Sequence, residues 1–215
     1  MAKDAVRVLA LGALVALCGC SSQQIQPPQI TGKVMSVPPR PVVTASPATN
    51  VNWNAPSYPA GWIPRAKERQ WTAIVIHHSA TDRGSMAAFD DYHRQEHNWD
   101  GIGYDFVIGN GKGSGDGQVE VTYRWREQLV GAHCKTPDNW ANERGIGICL
   151  VGDFTKTKPT WNQMKSLKEL VRFLQQRYGI PKSRVYGHCE VPGYTQGSVC
   201  PGRYFPMSTF RASLL

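Results

Sequence analysis

The sequence predicts a mixed α/β domain, a central and mostly mixed β-sheet flanked by helices, behind an export signal and a proline-rich tether. Three observations predict it. Short β-branched apolar runs of strand length recur, at Ala73-Ile74-Val75-Ile76 and from Gly145 to Val151. Stretches with helical spacing lie between the strands, and that alternation places helices over a sheet. Of 215 residues, 41% are apolar and 10% aromatic, with seven Trp against 19% charged, enough for a sizeable core. That balance excludes a disordered, collagenous or disulfide-scaffold chain, and the length holds one ordinary domain with an appendage.

Residues 1–19 read as an address. Lys3 and Arg7 form a basic start, and the apolar run Val8 to Leu17 is too short to span a bilayer but has the length of a signal-peptide core. The ending Leu17-Cys18-Gly19-Cys20 resembles a bacterial lipobox, because Leu stands three places before Cys20 and small Gly directly before it. That resemblance implies cleavage before Cys20, a lipid on Cys20, and a protein held at the cell envelope. Ser21 after the Cys favours, by analogy, the outer membrane, with the head facing the periplasm. A plain secretory signal or a short membrane anchor is the alternative.

Residues 20–56 read as a tether. Pro27-Pro28, Pro38-Pro39, Pro41, Pro47 and Pro56 stand among Gln, Ser, Thr and Val with few charges. Such chain favours extended polyproline conformations and supplies few backbone donors, so it reaches outward. An extended arm packed on the domain stays open for its Trp53 to Trp62 end.

The domain itself is expected over 57–215. The Ala73 to Ile76 run suits a strand buried on both faces. Ser85 to His97 has helical spacing, with Met86, Phe89 and Tyr92 or His93 on one side. Tyr104 to Ile108 reads as a second strand. Asp116-Gly117 closes a glycine-rich stretch and turns the chain into a strand from Val119 to Tyr123. That stretch is no phosphate loop, since it lacks the Lys-Ser/Thr ending and no helix pattern follows. Gly145 to Val151 is the apolar strand already named. Thr160 with Gln163 forms a capping box, Met164, Leu167, Leu170, Val171 and Leu174 make a core-facing stripe, and Gly179 then Pro181 stop the helix.

The charge balance is basic: 24 Lys and Arg against 16 Asp and Glu give +8. Removing Lys3, Arg7 and Asp4 with the leader leaves 22 against 15, or +7. Such a charge attracts polyanions without choosing among nucleic acid, anionic lipid and acidic wall polymer. A nucleic-acid partner rests on this charge alone and conflicts with the export signal, so none is expected.

The chemistry lies at strand and loop ends. His77 stands where the first strand emerges, His188 follows Val185-Tyr186-Gly187, and Cys200 sits in the loop Gly197-Ser198-Val199-Cys200-Pro201-Gly202. Two neutral imidazoles and a thiolate suit zinc, and three protein ligands leave a fourth position open. Residue type and spacing leave two alternatives, a hydrogen-bonded structural His and a disulfide-bonded Cys.

Six segments in order narrow this: Ile76-His77-His78-Ser79, Gly101 to Gly109, Gly131-Ala132-His133, Gly145-Ile146-Gly147-Ile148, Gly187-His188, and Cys200-Pro201-Gly202. Together they resemble the zinc N-acetylmuramoyl-L-alanine amidases of the peptidoglycan-recognition and phage type, from about Trp71 to the C-terminus. The resemblance implies one zinc ion on His77, His188 and Cys200, and Tyr104 as donor to the developing oxyanion. It implies a glycan-peptide groove lined by His93, His133 and Asn142, whose ordinary alternatives are an exposed helix face and solvated loops. It implies hydrolysis of the amide between N-acetylmuramic acid and L-alanine in peptidoglycan, by a chain read as a monomer.

Two departures stand out. Where many members carry Lys or Thr two places before the Cys ligand, this chain has Ser198, a hydrogen-bond donor without positive charge and the candidate to steady the transition state. Cys149 stands where cytoplasmic recycling amidases carry a Glu, so no carboxylate base is assigned. With Cys20 lipidated and Cys200 on zinc, Cys134, Cys149 and Cys189 remain, leaving one bridged pair and one free thiol possible in an oxidising compartment. A non-catalytic peptidoglycan-binding lipoprotein is the second reading.

Overall fold

The computed structural model describes residues 58–215. The leader, Cys20 and the 20–56 tether lie outside the described residues. Tyr58, near the start of the domain, already packs on it, its ring 5.9 Å from that of Trp62 and 5.0 Å from that of Phe173.

Five strands form one mixed sheet: β1 (Ala73–His78), β2 (Phe106–Ile108), β3 (Val119–Val121), β4 (Gly145–Leu150) and β5 (Val185–Gly187), in the order β3-β2-β4-β1-β5. β1 runs parallel to both neighbours, β2 parallel to β4, and only β3 is antiparallel. The strand alternation sorts side chains onto two faces. Ile74 and Ile76 of β1, Phe106 and Ile108 of β2, and Ile146, Ile148 and Leu150 of β4 build the main core with Leu167, Leu170, Val171 and Leu174 of α4 (Trp161–Tyr178). The opposite face carries two smaller clusters. One holds Phe89 of α1 (Met86–Gln95) with Val107 and Cys149; the other holds Val75 with Ala141 of α3 (Trp140–Arg144).

The caps are as expected. Ser85 Oγ accepts from Ala88 N at the start of α1. Thr160 and Gln163 form the capping box of α4, and Gly179 ends it in the left-handed region at φ 67°.

Boundaries differ where side chains intervene. The strand expected from Tyr104 begins at Phe106, and Asp105 ties to Gly147 through both its amide and its carboxylate. The strand expected to reach Tyr123 stops at Val121, because the Thr122 side chain caps a short helix, α2 (Tyr123–Arg126). Helices α2, α3 and α5 (Met207–Ala212) are too short to show a helical period in the sequence. The open possibility of a disulfide is not met among the described residues, where Cys134, Cys149, Cys189 and Cys200 are all free. Nor is any described helix long and apolar enough to cross a membrane.

Candidate functional site

The register of the sheet brings the two histidines together. Ile76 of β1 pairs with Gly187, the last residue of β5, so His77 on β1 and His188 just past β5 stand beside each other. Their rings lie 4.4 Å apart. Cys200 is 123 positions from His77 in sequence, yet its loop folds back on the end of β5, with Cys189 N donating to Cys200 O at 2.8 Å. Cys200 Sγ then lies 3.8 Å from His77 Nδ1, and the His78 amide donates to that sulfur at 3.3 Å. One ligand atom from each of His77, His188 and Cys200 falls within 4.8 Å of the others.

Burial sets the charge state of all three. His77 is held well below the ordinary imidazole pKa, first by burial and then by His188, His133 and His78 around it. His188 is lowered to about 4, again mainly by burial. Burial pushes the Cys200 thiol well above its usual value, against the pull of the His78 amide.

The three face a cavity of about 180 Å³ whose wall also includes His78, His93, Trp99, Tyr104, Tyr194 and Ser198. Tyr104 lies with its ring 5.2 Å from that of His77, and burial raises its phenol well above the usual pKa, so it is a neutral O–H donor at neutral pH. His93 is buried, not exposed on its helix. Its Nδ1 accepts from Gly103 N at 3.2 Å, and burial lowers its pKa to about 4. Ser198 Oγ accepts from Cys200 N at 3.0 Å, which fixes the ligand loop. Among the described residues, no Lys, Arg, Asp or Glu lines the cavity. Glu190, near in sequence, accepts from Gly187 N and pairs with Arg211, and Glu143 stands exposed on α3.

His133 lines the cavity with its ring 5.1 Å from that of His77, both of its ring nitrogens engaged. Asn142, expected along the groove, is instead fully buried. Its Oδ1 accepts from His133 N and Cys134 N, and its Nδ2 donates to Asn139 Oδ1. The His78 amide at the sulfur, and Trp99 and Tyr194 in the wall, were not singled out from the sequence. A backbone donor leaves no mark on composition, and neither aromatic belongs to a motif.

The donor set suits zinc. Two neutral imidazoles and a sulfur meet in one cavity, His188 Nε2 is buried without a hydrogen-bond partner, and among the described residues no carboxylate lines it. A divalent cation held by these three residues would reverse the preference of Cys200 for its protonated form and release that proton.

Comparison with known proteins gives the family of the chain. The family model described as N-acetylmuramoyl-L-alanine amidase matches residues 67–203. The chain is 30% identical over 139 residues to peptidoglycan-recognition protein LB of Drosophila melanogaster, covering 60% of this chain and 53% of that protein. It is 28% identical over 162 residues to the N-acetylmuramoyl-L-alanine amidase of Sus scrofa, covering 70% and 24%. The chain spans about half the length of the recognition proteins it matches. Among solved structures it is similar to the endolysin amidase LysCS from Clostridium intestinale, with 29% identity, 73% and 91% coverage, and TM-score 0.56. It is similar also to a mutant of Drosophila PGRP-LB in complex with tracheal cytotoxin, with 27% identity, 66% and 83% coverage, and TM-score 0.50.

Proposed function

The chain belongs to the N-acetylmuramoyl-L-alanine amidase family, and from that premise we propose that it is a zinc hydrolase of the cell wall. It cleaves the amide joining the lactyl group of N-acetylmuramic acid to L-alanine. The observation that carries the reading is the meeting of His77, His188 and Cys200 beside the Tyr104 phenol in one cavity.

A zinc ion held by His77, His188 and Cys200 would supply Lewis acidity and a lowered pKa for water. The protein's own part is orientation and charge. The His78 amide, aimed at Cys200 Sγ, stabilises negative sulfur. Tyr104, neutral by burial, offers its O–H to the oxyanion that develops when the amide carbonyl is attacked. Tyr194, whose ring lies 4.3 Å from that of His188, packs against the second imidazole in the cavity wall. A neighbouring cleft of about 310 Å³ shares Trp99 and Ala132 with the cavity and gives a muropeptide room to extend.

One observation favours a second reading, a peptidoglycan binder without catalysis. Among the described residues the cavity has no cationic side chain, and Ser198 Oγ is engaged by the Cys200 amide. Incubating the metal-loaded chain with purified wall separates the two. Release of new L-alanine amino termini, abolished by chelation and restored by zinc, is expected; bound zinc with no release assigns the binder.

We propose further that the lipid on Cys20 and the 20–56 tether hold this head at the envelope, on the periplasmic side of an outer membrane. Cys20→Ser is expected to move the chain from the membrane fraction to the soluble one. An unchanged distribution removes the anchor.

A further inference from the structure

We propose that His133, itself fixed by Asn142, is a positioning residue that sets the tautomer of His77 and aims its Nδ1 lone pair at the metal position. The inference rests on the zinc reading above.

The chain of hydrogen bonds has only one consistent direction. His133 Nε2 lies 3.2 Å from Gly145 O, and a carbonyl oxygen only accepts, so the His133 proton sits on Nε2. The ring is 5% exposed and held between Gly145 O and the His77 ring. Its Nδ1 therefore presents a lone pair, 3.1 Å from His77 Nε2. His77 must donate there, which puts its own proton on Nε2 and leaves Nδ1 bare. Nδ1 is the atom that faces Cys200 Sγ at 3.8 Å. A backbone carbonyl thus dictates, through two rings, which nitrogen of the ligand is free.

The His133 ring has a prepared slot. A methyl group on Gly147 would come within 2.5 Å of His133 Cδ2, and one on Gly131 within 2.7 Å, so both glycines leave room for the imidazole. Its backbone is equally held. Asn142 Oδ1 accepts from His133 N at 2.8 Å and Cys134 N at 2.9 Å, while Asn142 O accepts from Gly131 N at 2.8 Å. Asn142 is fully buried, so this is the work its side chain can do.

The test measures zinc affinity by chelator competition in the full chain, alongside imidazole ¹⁵N spectra of the metal-free protein. In the wild type, metal-free His77 is expected as the Nε2–H tautomer. His133→Ala is expected to weaken zinc binding about 10–100-fold and to mix the His77 tautomers. His133→Asn places an oxygen acceptor near the site of Nδ1, and recovers part of the affinity; it also serves if the alanine loosens the loop. Asn142→Ala is expected to shift affinity in the same direction by less. If His133→Ala binds zinc within about twofold of wild type and raises only KM for muropeptide, His133 is a groove residue and the inference falls alone. A proton on Nδ1 of metal-free His77 also overturns it. Failure of the wild-type chain to bind zinc overturns the zinc reading and this inference with it.

Discussion

The two faces of the sheet share the same strands and do opposite things. On β1 and β4, Ile74, Ile76, Ile146, Ile148 and Leu150 point into the main core against α4. The alternate positions are Val75 and His77 on β1, and Gly145, Gly147 and Cys149 on β4. One face is filled with large aliphatic side chains, and the other is kept small so that an imidazole from a loop can lie on it. The comparison teaches that a two-residue period separates stability from chemistry within a single strand. Neither face can be read from average hydrophobicity, because both are buried.

Two substitutions break the comparison most sharply. His77→Ala is expected to bring muropeptide hydrolysis to background and abolish tight zinc binding, while the metal-free fold persists. Close behind, Tyr104→Phe deletes only the oxyanion donor. A kcat about 10²–10³-fold lower is expected, with zinc affinity unchanged. If Tyr104→Phe keeps full kcat, the phenol is a wall and not a donor.

The opposite face supplies the counterpart. Leu170 is fully buried against the sheet, and Leu170→Ala is expected to cost about 2–5 kcal/mol of stability. Per folded molecule, hydrolysis should stay within about twofold of wild type. A denaturation series read beside activity at low temperature checks both. A large loss of kcat in folded Leu170→Ala would show that the core face also sets site geometry.

Acid sharpens the contrast again, because five of the six histidines line the cavity. His93 is not a ligand, and its folded pKa of about 4 lies below the value near 6.5 expected when unfolded. Between those values the unfolded chain binds a proton that the folded chain refuses. Stability is therefore fully present above about pH 6.5 and lost as pH falls toward 4. His93→Gln removes this share, so its thermal midpoint should fall less between pH 7 and 4.5 than that of wild type. Equal falls would place the acid sensitivity elsewhere.

Much of this was legible in the sequence, for physical reasons that differ by region. The α4 helix announced itself because its cap, stripe and stop are local. The meeting of His77, His188 and Cys200 was legible only as part of an ordered set of motifs, since the Ile76–Gly187 register that joins His77 to His188 is not written in any short segment. Cys149 illustrates the converse. Its place in an apolar strand was plain, and the structure finds it fully buried beside Tyr104, but the pairing of the three spare cysteines could not be read, and none is paired. Asn142 shows where residue type misleads. A loop Asn reads as solvated, and only the backbone amides of His133 and Cys134 converging on its oxygen reveal a buried bracket. The short helices α2 and α3 hid because four or five residues carry no period.

The smallest expected effect tests the border between the faces. Thr160 Oγ accepts from Gln163 N at 3.0 Å and donates to Asp116 Oδ1, so Thr160→Ala removes a cap worth about 1 kcal/mol. Gln163 does more than complete the box. It is buried, and its Nε2 donates to Ile108 O and Val151 O, at the ends of β2 and just past β4. The start of α4 is thereby tied to the ends of β2 and β4, and the end of β4 lies beside His77 and His78 of β1. If that tie is only structural, Thr160→Ala lowers the unfolding free energy by about 1 kcal/mol, Thr160→Ser restores it, and zinc affinity does not move. If zinc affinity drops along with stability, the capping box reaches the metal site through Gln163, and the division of labour between the faces ends one residue past β4.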